Sequence, residues 1–357
     1  MGVFEAIGTD THEEVTFGID HPSGLRTIIA IHSTALGPAL GGTRFFPYAS
    51  EEDALVDVLR LSRGMTYKSA AAGLDLGGGK AVIIGDPRTM KSERLLRAYA
   101  GVVDSLGGRY ITAEDVGTTM DDMAIIRRGT RHVAGLPSTF GGSGDPSPAT
   151  ARGVQRAMEA VADTIWGSRD LAGRRIAVQG VGKVGMSLVE RLTAVGAEIV
   201  VADVDPAAVD RAVDAHCAKP VEMDDVYGVD CDIFSPCALG ATLNEHTIPL
   251  LRCAAVVGSA NNQLAVAEDA VRLQGREILY APDFVANAGG VINIAAESQS
   301  YSAQRAASMV DAIYDNVKAV LQRAAAEGIN ARDAAERVAE ERIEAVGSLR
   351  LRAGATG

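Results

Sequence analysis

The chain has few cysteines, few histidines, a deficit of basic charge and no long apolar run, and each shortage closes off a class of function. Its four cysteines, Cys217, Cys231, Cys237 and Cys253, all lie in the second half and include no Cys-x-x-Cys pair. That usage predicts reduced thiols acting as small apolar side chains. None of the six histidines stands at ligand spacing from a cysteine, so no metal site is expected. With 34 basic against 46 acidic residues the net charge is -12, which argues against nucleic acid or an anionic membrane as partner. The longest apolar runs are too short to span a bilayer. Residues 1–20 show neither the basic start nor the apolar stretch of a secretory signal, so a cytoplasmic protein is expected. What is present is ordinary globular composition, 47% hydrophobic and 22% charged over 357 residues, enough for about two domains.

One stretch near the middle organises the rest. Gln179-Gly180-Val181-Gly182-Lys183-Val184-Gly185 follows the apolar run Arg175-Ile176-Ala177-Val178 and opens a helical pattern from Val184 to Leu192. Strand, glycine turn and helix arrive in the order of a dinucleotide fingerprint. The first glycine serves the turn, the second the approach of a pyrophosphate and the third the packing of helix on strand. The helix N-terminus offers N–H groups to the phosphates. Asp203 follows the next apolar run, 198–202, and stands 23 residues beyond Gly180. A carboxylate there suits a ribose 2′-hydroxyl and disfavours a 2′-phosphate, so NAD rather than NADP is predicted. The other glycine-lysine site, Gly77-Gly78-Gly79-Lys80, is no P-loop, because Leu74 replaces its first glycine and Ala81 its Ser or Thr.

Ahead of the fingerprint, Arg26 to His32 reads as a strand leading into a glycine-rich turn from Leu36 to Arg44. Ser50 caps a helix whose apolar stripe is Ala54, Leu55, Val58, Leu61 and Met65. Strands are predicted at 80–84 and 109–113, with a helix from about Ser92 to Leu106 between them. Glu114 and Asp115 stand at the end of the second of these strands. These αβ units imply a cleft along their strand ends. The segment 141–148, rich in Gly, Ser and Pro, is the strongest break in composition, and a helix from Thr150 to Ala162 follows it as connector. The expectation is therefore a catalytic domain over 1–140 and a doubly wound domain over 147–330. In the latter, short apolar runs at 232–235, 254–258 and 278–281 end in small, amide-rich loops. Those loops, with Cys237, Ala238, Ala260 and Asn261 among them and Asn287 to Gly290 beyond, fit the nicotinamide side of its crevice. The tail from Ala303 to Arg350 reads as two helices around Gly328-Ile329-Asn330.

Lys68 and Lys80, twelve residues apart across the glycine run, form a second constellation with Asp115. If both lysines face one pocket, mutual repulsion and burial lower one of them towards use as a general base. The other, still charged, would pair with a substrate carboxylate, while Asp115 would exchange a proton with an amino or imino nitrogen. Lysines that simply face solvent are the competing reading; the apolar, glycine-rich surroundings weigh against it.

The segments LGPALGGTRF (36–45), GMTYKSAAAGLDLGGGKAVI (64–83), ITAEDVGTTMDDM (111–123), GDPSPATARGV (144–154), SPCALGATLN (235–244), GSANNQL (258–264) and YAPDFVANAGGVIN (280–293) together resemble the glutamate, leucine, phenylalanine and valine dehydrogenases. The likeness covers nearly the whole chain. It implies an α/β fold of two domains separated by a cleft, an N-terminal catalytic domain and a Rossmann-type NAD-binding domain, with helices from about 331–357 packing back on the first. It implies reversible oxidative deamination of an L-amino acid, with Lys80 activating the attacking water, Lys68 gripping the substrate carboxylate and Asp115 transferring protons. Thr150, Asn261 and Asn262 match positions near nicotinamide and substrate, and Gly180, Val181, Gly182, Lys183, Val184, Gly185 and Asp203 match the dinucleotide site. Gly41, Gly42 and Met65 match substrate positions. Leu40 stands where glutamate dehydrogenases carry a lysine, and with Ala113, Val291 and Ile294 it implies an aliphatic pocket; a side-chain carboxylate there would be unpaired. The expectation is an NAD-dependent enzyme acting on leucine, valine or isoleucine, self-associating as an octamer or dimer. Phe45-Phe46 and residues 296–300 depart from the leucine-acting pattern. An aromatic amino acid enzyme on the same scaffold is the alternative within the class, and a non-catalytic NAD-binding regulator the alternative outside it.

Overall fold

A computed structural model describes residues 12–299 and 301–354 and divides the chain into two compact units. The first comprises Met1–Asp145, Ile294–Ala303 and Ala339–Gly357, the second Pro146–Asn293 and Gln304–Val338.

In the first unit, β1 (Glu14–Asp20), β2 (Leu25–Ser33), β3 (Ala39–Phe46), β4 (Gly77–Ile84) and β5 (Tyr110–Glu114) form one sheet in the order β1-β2-β4-β3-β5. The β1–β2 and β2–β4 pairs are antiparallel, and β4–β3 and β3–β5 are parallel. Alternation along each strand sorts side chains onto two faces. Leu25, Ile29, Ile31, Ala39, Phe45, Ala81 and Ile83 pack on one side with Leu95, Tyr99 and Val103 of α2 (Glu93–Ser105) and Met123 of α3 (Met120–Ile126). Ile28, Ala30, Val82 and Ile84 pack on the other with Ala54, Leu55, Val58 and Leu59 of α1 (Glu51–Ala71). The α1 helix starts where the sequence asks it to. Ser50 Oγ accepts the Asp53 N–H at 3.0 Å, and the acidic residues Glu51, Glu52 and Asp53 sit against the positive end of the helix.

Two expectations change here. Leu36 to Arg44 is not a turn: residues 39–46 are an almost wholly buried inner strand, and the glycines are there for close packing. A Cβ on Gly41 would lie 1.7 Å from the Gly79 carbonyl oxygen. The edge strand β1, with its outward Phe17 and Ile19, is also unexpected, so that β1 and β3 bring to five the three strands that pattern reading finds.

The second unit begins with α4 (Ser147–Trp166) and carries a six-stranded, all-parallel sheet. Its strands are β6 (Arg175–Gln179), β7 (Glu198–Ala202), β8 (Lys219–Pro220), β9 (Ile233–Pro236), β10 (Ala255–Val256) and β11 (Leu279–Tyr280), in the order β11-β10-β9-β6-β7-β8. The order reverses between β6 and β9, which is the switch point where a doubly wound sheet binds its ligand. Helices α5 (Lys183–Ala194), α6 (Pro206–His216) and α7 (Glu268–Gly275) connect the strands, and α8 (Gly289–Ala295) follows. The tail is three helices rather than two: α9 (Ala303–Asp311), α10 (Ile313–Glu327) and α11 (Ala331–Gly354). Gly328, left-handed at φ 66°, ends α10, and Asn330 Oδ1 caps α11 by accepting the Asp333 N–H at 3.0 Å. The extra break falls at Ala312, a good helix former, so composition does not mark it.

Candidate active site

In the first unit the acid–base groups collect on the α1 face of the sheet. Lys80 alternates with Val82 and Ile84 along β4, and Arg44 with Gly42 and Leu40 along β3, so pleating turns all of them to that face. Lys80 is 6% exposed, and its Nζ meets Asp115 Oδ2 at 2.7 Å. Asp115 follows β5 in a turn pinned by Thr118: the Asp115 N–H donates to Thr118 Oγ1 at 2.9 Å, and that hydroxyl donates to the Thr43 carbonyl at 2.8 Å.

A second cation completes the cluster. Arg44 donates through Nε to Asp115 Oδ2 at 3.2 Å and through Nη1 to Asp57 Oδ2 at 2.8 Å. Tyr48 OH donates to that same Asp57 oxygen at 2.7 Å. Burial alone would raise the Asp115 carboxyl; the Lys80 ammonium and the Arg44 guanidinium override it and hold the group below its ordinary value. Asp115 is thus a carboxylate with one oxygen committed to two cations. Asp57, Leu61, Met65 and Lys68 run along one half-buried flank of α1 at spacings of four, four and three, which places Lys68 about three turns along the flank from the Arg44 contact.

Leu40 is 2% exposed and pairs with Ile111 of β5, while Gly42 pairs with Ala113. A Cβ on Gly135 would lie 3.8 Å from both Ala113 Cβ and Ile294 Cδ1, so these apolar groups adjoin. Glu297 fixes this corner, accepting the Gly135 N–H at 3.0 Å and the Ser143 N–H at 2.7 Å. Gly42 leaves no room for a side chain, its Cβ position being 2.9 Å from Asp115 Cβ.

In the second unit the three fingerprint glycines occupy three different environments. Gly180 has φ +96° and a Cβ position 2.7 Å from Ala238 Cβ. Gly185 packs on the turn so closely that a Cβ would sit 2.0 Å from the Gly180 carbonyl oxygen. Around Gly182 there is open space, and at this N-terminus of α5 no side chain caps the helix. That combination of a bare helix end and an empty approach fits a pyrophosphate. Val181 is buried, whereas Lys183 is exposed and Val184 half-buried. Asp203 Oδ2 accepts the Val181 N–H at 2.7 Å and Oδ1 the Asp205 N–H at 2.9 Å, so the carboxylate is locked beside the turn.

Around the switch point, the Cys237 N–H donates to the Gln179 carbonyl at 2.7 Å and the Ala260 N–H to the Pro236 carbonyl at 3.0 Å. Asn261 and Asn262 are both exposed, and Asn262 holds a left-handed φ of 51°, an uncommon state for a non-glycine residue. Thr150, in the first turn of α4, bounds Gly290, whose Cβ position is 2.7 Å from Thr150 Oγ1. Val291 is half-buried one position on. Asn287 ties the corner together, its Nδ2 donating to the Ser259 carbonyl at 3.1 Å and to Asn261 Oδ1 at 2.9 Å. The other end of that buried amide, Oδ1, has no partner among the described residues. Asn287 lies in the loop that sequence reading assigns to the nicotinamide side, whereas Arg44 and Asp57 carry no local signal of their role, because that role consists of contacts between distant segments; only the neighbouring glycine pair Gly41-Gly42 points to them. Among the described residues no group of three or more His, Cys, Asp or Glu side chains could hold a metal, and no helix is long and apolar enough to cross a membrane.

Comparison with known proteins finds relatives over nearly the whole chain. Residues 11–132 match the family model described as Glu/Leu/Phe/Val dehydrogenase, dimerisation domain. Residues 141–212 and 205–350 match the Glutamate/Leucine/Phenylalanine/Valine dehydrogenase model. The leucine dehydrogenase of Bacillus subtilis (strain 168) is 52% identical over 344 residues, 96% of this chain and 94% of that protein. The valine dehydrogenase of Streptomyces virginiae is 50% identical over 335 residues, 93% of this chain and 94% of that protein. Among solved structures, L-tryptophan dehydrogenase from Nostoc punctiforme superposes with a TM-score of 0.85 at 43% identity, covering 96% of this chain and 99% of that one.

Proposed function

Because this chain belongs to the glutamate/leucine/phenylalanine/valine dehydrogenase family, we propose that it catalyses the NAD-dependent, reversible oxidative deamination of a branched-chain L-amino acid to its 2-oxo acid and ammonium. The observation that carries this reading is the Lys80–Asp115 pair, 2.7 Å apart and mostly shielded from water on the face shared with Leu40. When bound, the dinucleotide supplies nicotinamide C4 as the acceptor of the hydride from substrate Cα. Everything else falls to the protein. Lys68 holds the substrate carboxylate. Asp115, kept ionised by Lys80 and Arg44, takes a proton from the substrate amine. Lys80 acts as base once its ammonium proton has passed to solvent: as the amine it takes a proton from the water that adds to the iminium carbon, and the proton held on Asp115 is returned to the departing nitrogen.

The choice of NAD over NADP rests on Asp203. Its carboxylate is fixed by two backbone N–H groups at the end of β7, where a 2′-phosphate would meet a like charge. The choice of an aliphatic side chain rests on Leu40, Ala113 and Ile294, which offer no cation to a side-chain carboxylate. Kinship with leucine and valine dehydrogenases supports it. We also assign homo-oligomerisation, octameric or dimeric, supported by the dimerisation description of the first domain and by the exposed Phe17 and Ile19 on edge strand β1. A cytoplasmic location accords with the chemistry of a soluble cofactor.

The deciding experiment offers leucine, valine, isoleucine, phenylalanine, tryptophan and glutamate separately with NAD at alkaline pH, and follows NADH absorbance. Growth with the aliphatic set is expected. A preference for phenylalanine or tryptophan would replace the substrate assignment, and no growth with any of them would favour a regulatory protein.

A further inference from the structure

Cys231 and Cys253 take no part in the reaction above, yet strand register sets them side by side. β9 and β10 run parallel with Ile233 opposite Ala255, and Asp230 bridges to Arg252 just before the strands begin. Both pairings have the same offset of 22 residues, which makes Cys231 and Cys253 partners. The ladder is continuous between these points: the Cys231 N–H donates to the Arg252 carbonyl at 3.2 Å and the Ala254 N–H to the Asp232 carbonyl at 3.1 Å. Partners on neighbouring strands lie about 4.8 Å apart and turn to the same face. That separation falls inside the Cα window of about 4.4–6.8 Å that a disulfide requires.

The side chains agree with the backbone. The two thiols act on one another electrostatically. Both lie half-buried at the margin of the core formed by Phe234, Leu251, Val256 and Ile278. The neighbouring Cys231 thiol, helped by the nearby Arg276 guanidinium and opposed by burial, draws the Cys253 thiol down. The Cys253 thiol, with burial, pushes Cys231 up. One sulfur is thereby favoured as thiolate while its neighbour keeps the proton, the division of labour of an attacking and a resolving thiol.

We propose that Cys231 and Cys253 form a reversible dithiol–disulfide site that is oxidised by low-molecular-weight disulfides. The Cys253 thiolate attacks one sulfur of R–S–S–R, forming a mixed disulfide and releasing R–S⁻. Cys231 then loses its proton to solvent, attacks the Cys253 sulfur and expels the second R–S⁻. Two protein thiols are oxidised to one disulfide, and the small disulfide is reduced to two thiols. The site lies at the amino ends of β9 and β10, away from the carboxyl-end loops at Pro236 to Ala238 and Gly258 to Ala260. The closed segment 231–253 contains the first of those loops, so oxidation restrains it covalently at its far end while the fingerprint stays open.

The test uses the whole protein with exposed Cys217 replaced, C217S, which leaves three thiols. The native protein is incubated with oxidised glutathione, unreacted thiols are blocked by alkylation, and the digest is mapped by mass spectrometry. The expected result is a fall from three titratable thiols to one, a Cys231–Cys253 linked peptide, and recovery of all three with dithiothreitol. In C217S/C253S no internal link should form, and Cys231 should stay unmodified. Recovery of Cys231 and Cys253 as free thiols, as separate glutathione adducts, or linked only after oxidation in denaturant would overturn the proposal.

Discussion

Replacing Arg44 by methionine, which keeps much of the side chain's bulk and removes the guanidinium, tests whether this arginine positions Asp115. Two charge-assisted bonds disappear, the one to Asp115 at 3.2 Å and the one to Asp57 at 2.8 Å. Such bonds contribute about 1.5–3 kcal/mol each when buried. The side chains here are 23%, 23% and 14% exposed, and each carboxylate keeps another donor, Lys80 for Asp115 and Tyr48 for Asp57. The lower end therefore applies, about 3 kcal/mol in all, equivalent to roughly 6–12 °C in Tm for a unit of this size. The catalytic signature differs from a plain stability loss. With one cation gone, burial opposes ionisation of Asp115 more effectively and its pKa rises. The acid limb of the kcat/KM profile should then move to higher pH, while KM for NAD stays near its parent value. Differential scanning fluorimetry with pH-dependent initial rates reads both. An unchanged Tm together with an unmoved acid limb would refute the argument, and Arg44→Lys, which cannot span both carboxylates, should recover only part of the loss.

Three further outcomes follow from the same contacts. Asp203→Ala should lower the NAD-to-NADP ratio of kcat/KM by about tenfold or more, since the repelling carboxylate is gone; an unchanged ratio in steady-state assays would count against the ribose assignment. Gly185→Ala forces a Cβ to within 2.0 Å of the Gly180 carbonyl and should cost about 1–3 kcal/mol while weakening cofactor binding, measurable by melting and by NADH fluorescence titration. For pH, the Asp115 carboxyl is lower in the folded protein than its unfolded value of about 3.9. Its contribution is thus complete above that value and is lost as pH falls through the folded one. Asp115→Asn should flatten part of the fall in Tm between pH 5 and 3, and parallel profiles for variant and parent would contradict this.

How much of this was legible in the sequence depends on whether a residue's task is local. Gly180, Gly182 and Gly185 could be assigned because turn, approach and packing are all decided within a few residues of backbone. Ser50 was readable for the same reason, as a cap acts on its own helix. The run around Gly41-Gly42 reads as a turn in the sequence but is a strand, since glycine has the same appearance whether it bends a chain or lets an inner strand pass close to Gly79. Strand β1 is hard to see in the sequence because its alternating Phe17 and Ile19 face outward rather than into a core. The division of the tail at Ala312 has no compositional mark at all. Arg44 stood in plain view within a quoted motif, but its contacts to Asp57 and Asp115 cross 13 and 71 residues of chain, and no spacing rule reaches that far.

The central claim is that Lys80, paired to Asp115 at 2.7 Å, performs the proton chemistry of deamination while a separate unit holds the dinucleotide. It is tested most directly by measuring turnover of leucine and NADH affinity together in Lys80→Ala. The kcat should fall by at least about a thousandfold, of the order that general acid–base catalysis supplies, with an NADH Kd within a few-fold of the parent. A variant that still turns over leucine at a rate comparable to the parent, or that loses NADH binding instead, would contradict it.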